Sequence, residues 1–281
     1  MPMTVRRFVR GPKPLCVVTA YDYPSARLAD QAGVDAILVG DSLGQVVQGY
    51  PDTLSVTLDE VIYHTKMVAR AAQDALVIGD MPFMSYQVST EQALVSAGRL
   101  MKEARCAAVK LEGGSRVAET VLKMVECGIP VMGHIGYTPQ SVHTLGSGRA
   151  QGRALEAARL VLADALDLEA AGAFAIVLEV MPHRLASLIT AQLHVPTIGI
   201  GAGPGCSGQV LVWHDLLAMP DLGLRHSHAF AQVGETALAG LLAYRQAVTD
   251  GSFPTLAHSV EMADEVAAQL EQEITGPTLQ A

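Results

Sequence analysis

Ala36-Ile-Leu-Val-Gly-Asp41-Ser42-Leu-Gly44 is a short apolar run that stops on a carboxylate and then on glycine. The pattern returns as Ala75-Leu-Val-Ile-Gly-Asp80. With a different acid it returns again in Ala107-Ala-Val-Lys110-Leu-Glu112-Gly113-Gly114 and in Phe174-Ala-Ile-Val-Leu-Glu179. An apolar run of this length between turn signals reads as a parallel strand buried on both faces. Four such strands, each ending in an acid, place four carboxylates along one rim of a sheet. Burying one carboxylate is costly and several together repel, so the cluster calls for a cation or a shared proton.

The flanking sequence repeats the strand signal with helices between. Leu15–Thr19 reads as the first strand after a polar N-terminal arm, followed by runs at 36–39, 76–79, 107–111, 130–134, 175–178, 197–200 and 209–212. Pro24 opens a helix that closes at Gly33. Thr57 and Glu60 form a capping box ahead of a helix to about Ala72, and Thr90 is expected to cap a helix to about Ala104. Further helices are expected over 116–126 and 154–171, with a long Gly/Ser-rich loop from Gly136 to Gly152 between them. Beyond Asp215 the pattern is helical, and the tail after Thr275 reads as disordered. Eight strand–helix units without a linker predict an α/β fold, a (β/α)8 TIM barrel. The chain 1–281 is then a single barrel domain with a short N-terminal arm and a flexible C-terminal tail. A doubly wound sheet would bind at one switch point and leave acids on strands two, three, four and six unexplained.

Composition excludes several classes. The net charge of −9, with no cluster of Lys and Arg interleaved with aromatics, argues against a nucleic-acid partner. No apolar run approaches the roughly 20 residues that span a bilayer, so no membrane segment is expected. Arg6, Arg7 and Arg10 precede an apolar stretch, Leu15–Ala20, that is too short for a signal core. The four cysteines have no zinc spacing, and Cys16 and Cys106 read as buried reduced thiols of a cytoplasmic protein.

Asp41, Asp80 and Glu112, on successive strands, suit a hard cation such as Mg²⁺ better than zinc, since no Cys or His joins them. Lys110 lies two residues before Glu112 and so points to the same, inward face. It is expected to pair with Glu112 or Asp80, to contact an anionic substrate, or both. Glu179 is either a general base or an acid near the next helix N-terminus. His134, with Gly133 and Gly136 close by, reads as a site-lining residue, and His226 and His228 as a surface feature. Gly199-Ile-Gly-Ala-Gly203 reads as a close approach of backbone to a ligand or to the barrel mouth.

In this order the motifs resemble those of the ketopantoate hydroxymethyltransferase family. They include Thr19-Ala-Tyr-Asp22, Val39-Gly-Asp-Ser-Leu-Gly44, Thr53-Leu54, Tyr63-His-Thr65 and Asp80-Met-Pro-Phe83. Val109-Lys-Leu-Glu-Gly-Gly114, Gly133-His-Ile-Gly-Tyr-Thr-Pro-Gln-Ser141, Gln151-Gly-Arg153, Leu178-Glu179 and Ile198–Gly203 complete the set. The resemblance implies a barrel of the phosphoenolpyruvate-mutase type. It implies Asp41 and Asp80 as direct Mg²⁺ ligands, Glu112 as the third metal-site acid acting through water, and one ion per subunit. Asp41, Ser42, Asp80 and Lys110 would hold a 2-oxo acid, Glu179 would accept its proton, and His134 would line the pocket. The implied reaction transfers a hydroxymethyl group from 5,10-methylenetetrahydrofolate to 3-methyl-2-oxobutanoate through a Mg²⁺-stabilised enolate. The product is 2-dehydropantoate, the first step of pantothenate biosynthesis, and the implied assembly is a homodecamer. A lyase of the same barrel superfamily would normally carry a cysteine in the loop after strand three; Met81-Pro-Phe-Met-Ser-Tyr86 has none. The chain departs from the family pattern at Gly146-Ser147-Gly148-Arg149-Ala150, at Ser207-Gly208-Gln209 and at Leu224–His228. These departures bear on the folate side and on subunit contacts.

Overall fold

A computed structural model describes residues 2–146, 148–219 and 227–275. Ser147, Leu224–His226 and the tail beyond Thr275 lie outside the described residues. Eight parallel strands close into a barrel in chain order. They are β1 Leu15–Thr19, β2 Ala36–Val39, β3 Leu76–Asp80, β4 Ala108–Glu112, β5 Val131–Gly136, β6 Ala175–Glu179, β7 Thr197–Ile200 and β8 Gly208–Leu211. β8 returns to β1, with Leu15 opposite Gly208 and Val17 opposite Val210.

Side chains alternate between the two faces of each strand, and both faces are covered. The inward set, including Leu15, Val17, Ala36, Leu38, Leu76 and Ile78, fills the barrel. The outward set, including Val18, Ile37, Val39, Val77, Val109 and Leu111, packs under the helices. Two concentric cores therefore explain why the strands read as unbroken apolar runs. At the C-terminal ends of β3, β4, β5 and β6 the inward face turns polar, with Asp80, Lys110, Glu112, His134 and Glu179.

The Thr57 capping box forms as expected, with Thr57 Oγ1 accepting from the Glu60 N–H and Glu60 Oε2 accepting from the Thr57 N–H, ahead of helix Leu58–Ala71. The next cap differs: Ser89, not Thr90, accepts the Gln92 N–H, and the helix Thr90–Arg99 continues as a wider π turn over Leu100–Ala104. Cys106 is buried, but Cys16, on the outward face of β1, is exposed. The Gly/Ser-rich loop holds a 3-10 turn at Pro139–Ser141 and a short helix at Val142–Leu145.

The polar N-terminal arm is a helix, Val5–Arg10, capped by Thr4. Its Phe8 is fully buried in the inner core and meets Phe174 edge-on at 5.9 Å. Leu15 and Phe174 mark the N-terminal ends of β1 and β6, so Phe8 plugs the floor of the barrel. Phe8→Leu should cost about 1–2 kcal/mol in urea unfolding while leaving the rim intact. An unchanged midpoint would mean that the floor is not packed by this ring.

Contacts divide the chain into two compact units, Met1–Ala231 and Gln232–Ala281. All eight strands belong to the first. The second carries helices Val233–Thr249 and Asp264–Thr275, with Phe253 stacked edge-on between Tyr244 and His258. Among the described residues no helix is long and apolar enough to cross a membrane.

Candidate active site

A cavity of about 260 Å³ opens at the C-terminal ends of the strands and is lined by Asp41, Ser42, Asp80, Lys110, Glu112, His134 and Glu179. All seven residues expected at the site come together there. Register explains why: Asp80 lies beside Lys110 on adjoining strands, Glu112 beside His134, and Gly136 beside Glu179. A side chain at Gly136 would collide with the Glu179 carbonyl, so the backbone of β5 comes this close to Glu179 only because that residue is glycine.

Lys110 Nζ lies 2.7 Å from both oxygens of Asp80 and 3.9 Å from Glu112 Oε1. Of the two expected pairings, Asp80 is the close one. Burial alone would drive the ammonium towards neutrality, but Asp80, Glu112 and Asp41 together outweigh it and raise its pKa. Burial pushes both Asp41 and Asp80 up to about 6. Glu112 adds to the rise at Asp41, while Lys110 restrains both. The Asp41 N–H donates to Asp80 Oδ2 at 3.2 Å, which ties the ends of β2 and β3.

His134 stands between two acids, with Nδ1 3.3 Å from Glu112 Oε1 and Nε2 3.1 Å from Glu179 Oε2. Neither contact has ideal hydrogen-bond alignment, but both carboxylates lie close enough to pair with the ring. Burial and Lys110 oppose protonation of the ring, yet the two carboxylates prevail and raise it to about 9. The sequence located His134 without a firm role; the structure places it between Glu112 and Glu179. Glu179 is the most open acid of the set, its side chain 15% exposed against 1% for Asp80 and 3% for Glu112. It is followed by Val180 at φ 43°, a left-handed position that is strained for a β-branched residue. Backbone bonds from the Val180 N–H to Ile200 and from the Gln151 N–H to the Val180 carbonyl hold the kink.

Some residues at the site went unassigned from sequence. Gln140 Nε2 donates to Asp41 Oδ2 at 2.9 Å and to the Met81 carbonyl, and its backbone N–H donates to Glu112 Oε2 at 3.0 Å. Tyr86 Oη accepts from the Glu112 N–H and donates to Gln140 Oε1. Tyr21 Oη lies 2.8 Å from Ser42 Oγ, and buried Asp215 lines the same cavity. The glycine run after β7 serves packing, since a side chain at Gly203 (φ 83°) would collide with His183.

The sequence profile of the family described as ketopantoate hydroxymethyltransferase matches residues 3–256. The chain belongs to the ketopantoate hydroxymethyltransferase family. It is 53% identical over 262 residues to the 3-methyl-2-oxobutanoate hydroxymethyltransferase of Syntrophobacter fumaroxidans, covering 93% of each chain. To the enzyme of the same name from Chloroflexus aurantiacus it is 55% identical over 247 residues, covering 88% of this chain and 87% of that one. Among solved structures it resembles 2,3-dimethylmalate lyase, a member of the PEP mutase/isocitrate lyase superfamily. That likeness has a TM-score of 0.58 and 19% identity over 96% of this chain and 97% of the other. It also resembles a phosphonopyruvate hydrolase bound to oxalate and Mg²⁺, with a TM-score of 0.61 and 12% identity over 97% and 96%. At these identities the two structures establish the barrel type alone.

One departure from the pattern of the ketopantoate hydroxymethyltransferase family is explained by its place. The Ser207 Oγ accepts from the Thr197 N–H and the Ser207 N–H donates to Thr197 Oγ1, at the N-terminal end of β7. Ser207 therefore staples the barrel far from the rim. Gly148, in the loop departure, does line the cavity.

Proposed function

We propose that this chain transfers a one-carbon unit from 5,10-methylenetetrahydrofolate to C3 of 3-methyl-2-oxobutanoate, with uptake of water, giving 2-dehydropantoate and tetrahydrofolate. The observation that carries this reading is the division of the rim. Buried acids and one ammonium crowd one side, and a single open carboxylate, Glu179, faces them across His134.

The acid side suits Mg²⁺. Glu112 Oε1 is buried without a hydrogen bond, and the available donors are carboxylate oxygens. Among the described residues no three His, Cys, Asp or Glu side chains are grouped closely enough to ligate one ion. Mg²⁺ is commonly held by one or two carboxylates and otherwise by water and substrate. Asp41 and Asp80 would hold it directly and Glu112 through water, one ion per subunit. When bound, it would supply positive charge beside the keto and carboxylate oxygens, where negative charge grows as C3 loses its proton.

The protein's own groups do the rest. Lys110 stays charged and can donate to the substrate carboxylate while it neutralises Asp80. Ser42, oriented by Tyr21, offers a second donor. Glu179 takes the proton from C3, and the electron pair left there forms the new carbon–carbon bond with the one-carbon unit. His134 steadies the charge on Glu179 before the transfer. The resemblance that implies this chemistry also implies a homodecamer, and helix Val233–Thr249 exposes Leu238, Leu241, Leu242, Tyr244 and Val248, as a self-associating chain would.

The test uses substrate deuterated at C3 with purified protein and Mg²⁺. Deuterium should be lost without the folate, and product should form only with it. Deuterium retained in both conditions would overturn the assignment.

Asp41 and Asp80 also set a pH dependence. Their folded pKa values, about 6, lie above the ordinary carboxylate value near 4. The metal-free folded state therefore binds protons more tightly than the unfolded chain across that window, and this site loses stability as pH rises through it. A divalent cation replaces those protons. The rise in Tm on adding MgCl₂ should be large at about pH 7.5 and nearly absent at about pH 5. An equal rise at both would count against Asp41 and Asp80 as the ligands.

A further inference from the structure

Gln140 is uncharged, only 5% exposed, and touches two of the proposed metal-site acids from one residue. A glutamine amide has two N–H donors and an oxygen with two lone pairs. Here all four are used: Nε2 donates to Asp41 Oδ2 and the Met81 carbonyl, while Oε1 accepts from Tyr86 Oη at 2.8 Å and from Gln87 Nε2 at 3.2 Å. The opposite orientation of the amide would set its oxygen against two acceptors, Asp41 Oδ2 and the Met81 carbonyl, so the network fixes it. Through this knot the segments after β2, β3 and β5 are tied to the end of β4.

The knot is selective about oxygens. Gln140 occupies Asp41 Oδ2 with its amide and Glu112 Oε2 with its backbone N–H. Among the described residues the Asp41 carboxylate is hydrogen-bonded through Oδ2, leaving Oδ1 without a bond. Glu112 Oε1 is buried without one, with His134 Nδ1 at 3.3 Å and Lys110 Nζ at 3.9 Å. Lys110, by contrast, covers both oxygens of Asp80. A second lysine in place of Gln140 would cancel the negative charge that draws a cation. A neutral amide fixes the carboxylates and leaves that charge in place.

We propose that Gln140 is a positioning residue of the cation site, holding one oxygen of Asp41 and one of Glu112 so that the other oxygen of each faces the ion or its water. The proposal rests on the Mg²⁺ reading above. Groups that orient a metal's carboxylates typically change its affinity 10–100-fold when removed.

The experiment measures Mn²⁺ binding to the full-length protein by electron paramagnetic resonance, together with deuterium exchange at C3 at limiting and saturating Mg²⁺. Gln140→Met keeps the size of the side chain and removes its hydrogen bonds. It should weaken Mn²⁺ by about 10–100-fold, and exchange should be recovered at saturating Mg²⁺, which a general packing defect would not allow. Tyr86→Phe keeps the ring, removes one of the two donors to Gln140 Oε1, and should weaken Mn²⁺ by a smaller factor of several-fold. It decides the matter if Gln140→Met does not fold. Mn²⁺ affinity unchanged in the folded variants would overturn the proposal while the cation reading stands. No Mn²⁺ binding by the unmutated protein, or binding indifferent to Asp41→Asn, would overturn that reading and the proposal with it.

Discussion

Glu179→Gln is expected to slow deuterium loss from C3 of 3-methyl-2-oxobutanoate by about 10²–10⁴-fold, the usual contribution of a placed general base. The replacement is isosteric and sits at the most open acid of the rim, so the fold should tolerate it. The amide cannot accept the proton, and it removes the charge that His134 Nε2 faces at 3.1 Å. The cation side lies across the histidine, and none of Asp41, Asp80 or Lys110 is hydrogen-bonded to Glu179. Mn²⁺ affinity and the KM for the keto acid should therefore change little while kcat collapses. Exchange at the unmutated rate would remove Glu179 from the chemistry. A loss confined to KM would make it a binding residue instead.

Lys110→Met should be the most destabilising single change at the rim. Removing one partner of a buried ion pair leaves an uncompensated charge, at a cost of about 3–5 kcal/mol. Both Lys110 and Asp80 are almost fully enclosed, and the ammonium touches both carboxylate oxygens. The loss has a pH signature. Lys110 is the chief influence lowering Asp80 against burial, so without it the carboxyl will hold its proton to higher pH. Urea unfolding of the metal-free protein should then show a wide gap from the unmutated protein at about pH 7.5 and a narrower one at about pH 5.5. Adding Asp80→Asn to Lys110→Met should return much of the stability. If it does not, the defect lies in packing rather than in the stranded carboxylate.

The reach of sequence reading follows from the range of the forces involved. The strands were legible because each is buried on two faces and so carries a dense apolar run. The acids were legible because a carboxylate at the end of such a run has no cheap structural excuse. The Thr57–Glu60 box was legible because it closes within one turn. Gln140 was not: it reaches Asp41 across 99 positions of sequence and advertises no charge. Phe8 was hidden because a six-residue helix between three arginines looks solvated until the barrel supplies a floor for its ring. The short helix at Val142–Leu145 has too few turns to show a period. Ser89 and Thr90 offer the same chemistry one residue apart, and geometry alone chose between them. The kink at Val180 contradicts local preference outright, and local conflict of that kind gathers at functional sites.

The return of β8 to β1 also governs which pieces of this chain can exist in solution. The Trp213 N–H donates to Thr19 Oγ1 across 194 positions of sequence, beside the strand pairing that seals the barrel. A chain cut short before Gly208 would retain Asp41, Asp80, Glu112 and Glu179, yet it would leave β1 and β7 as open edges with unpaired backbone donors and acceptors. Such edges recruit other strands. Fragments of this protein should therefore be sticky before they are inactive, and β8, which contributes none of the rim's acids, is what keeps the molecule from polymerising through its own sheet.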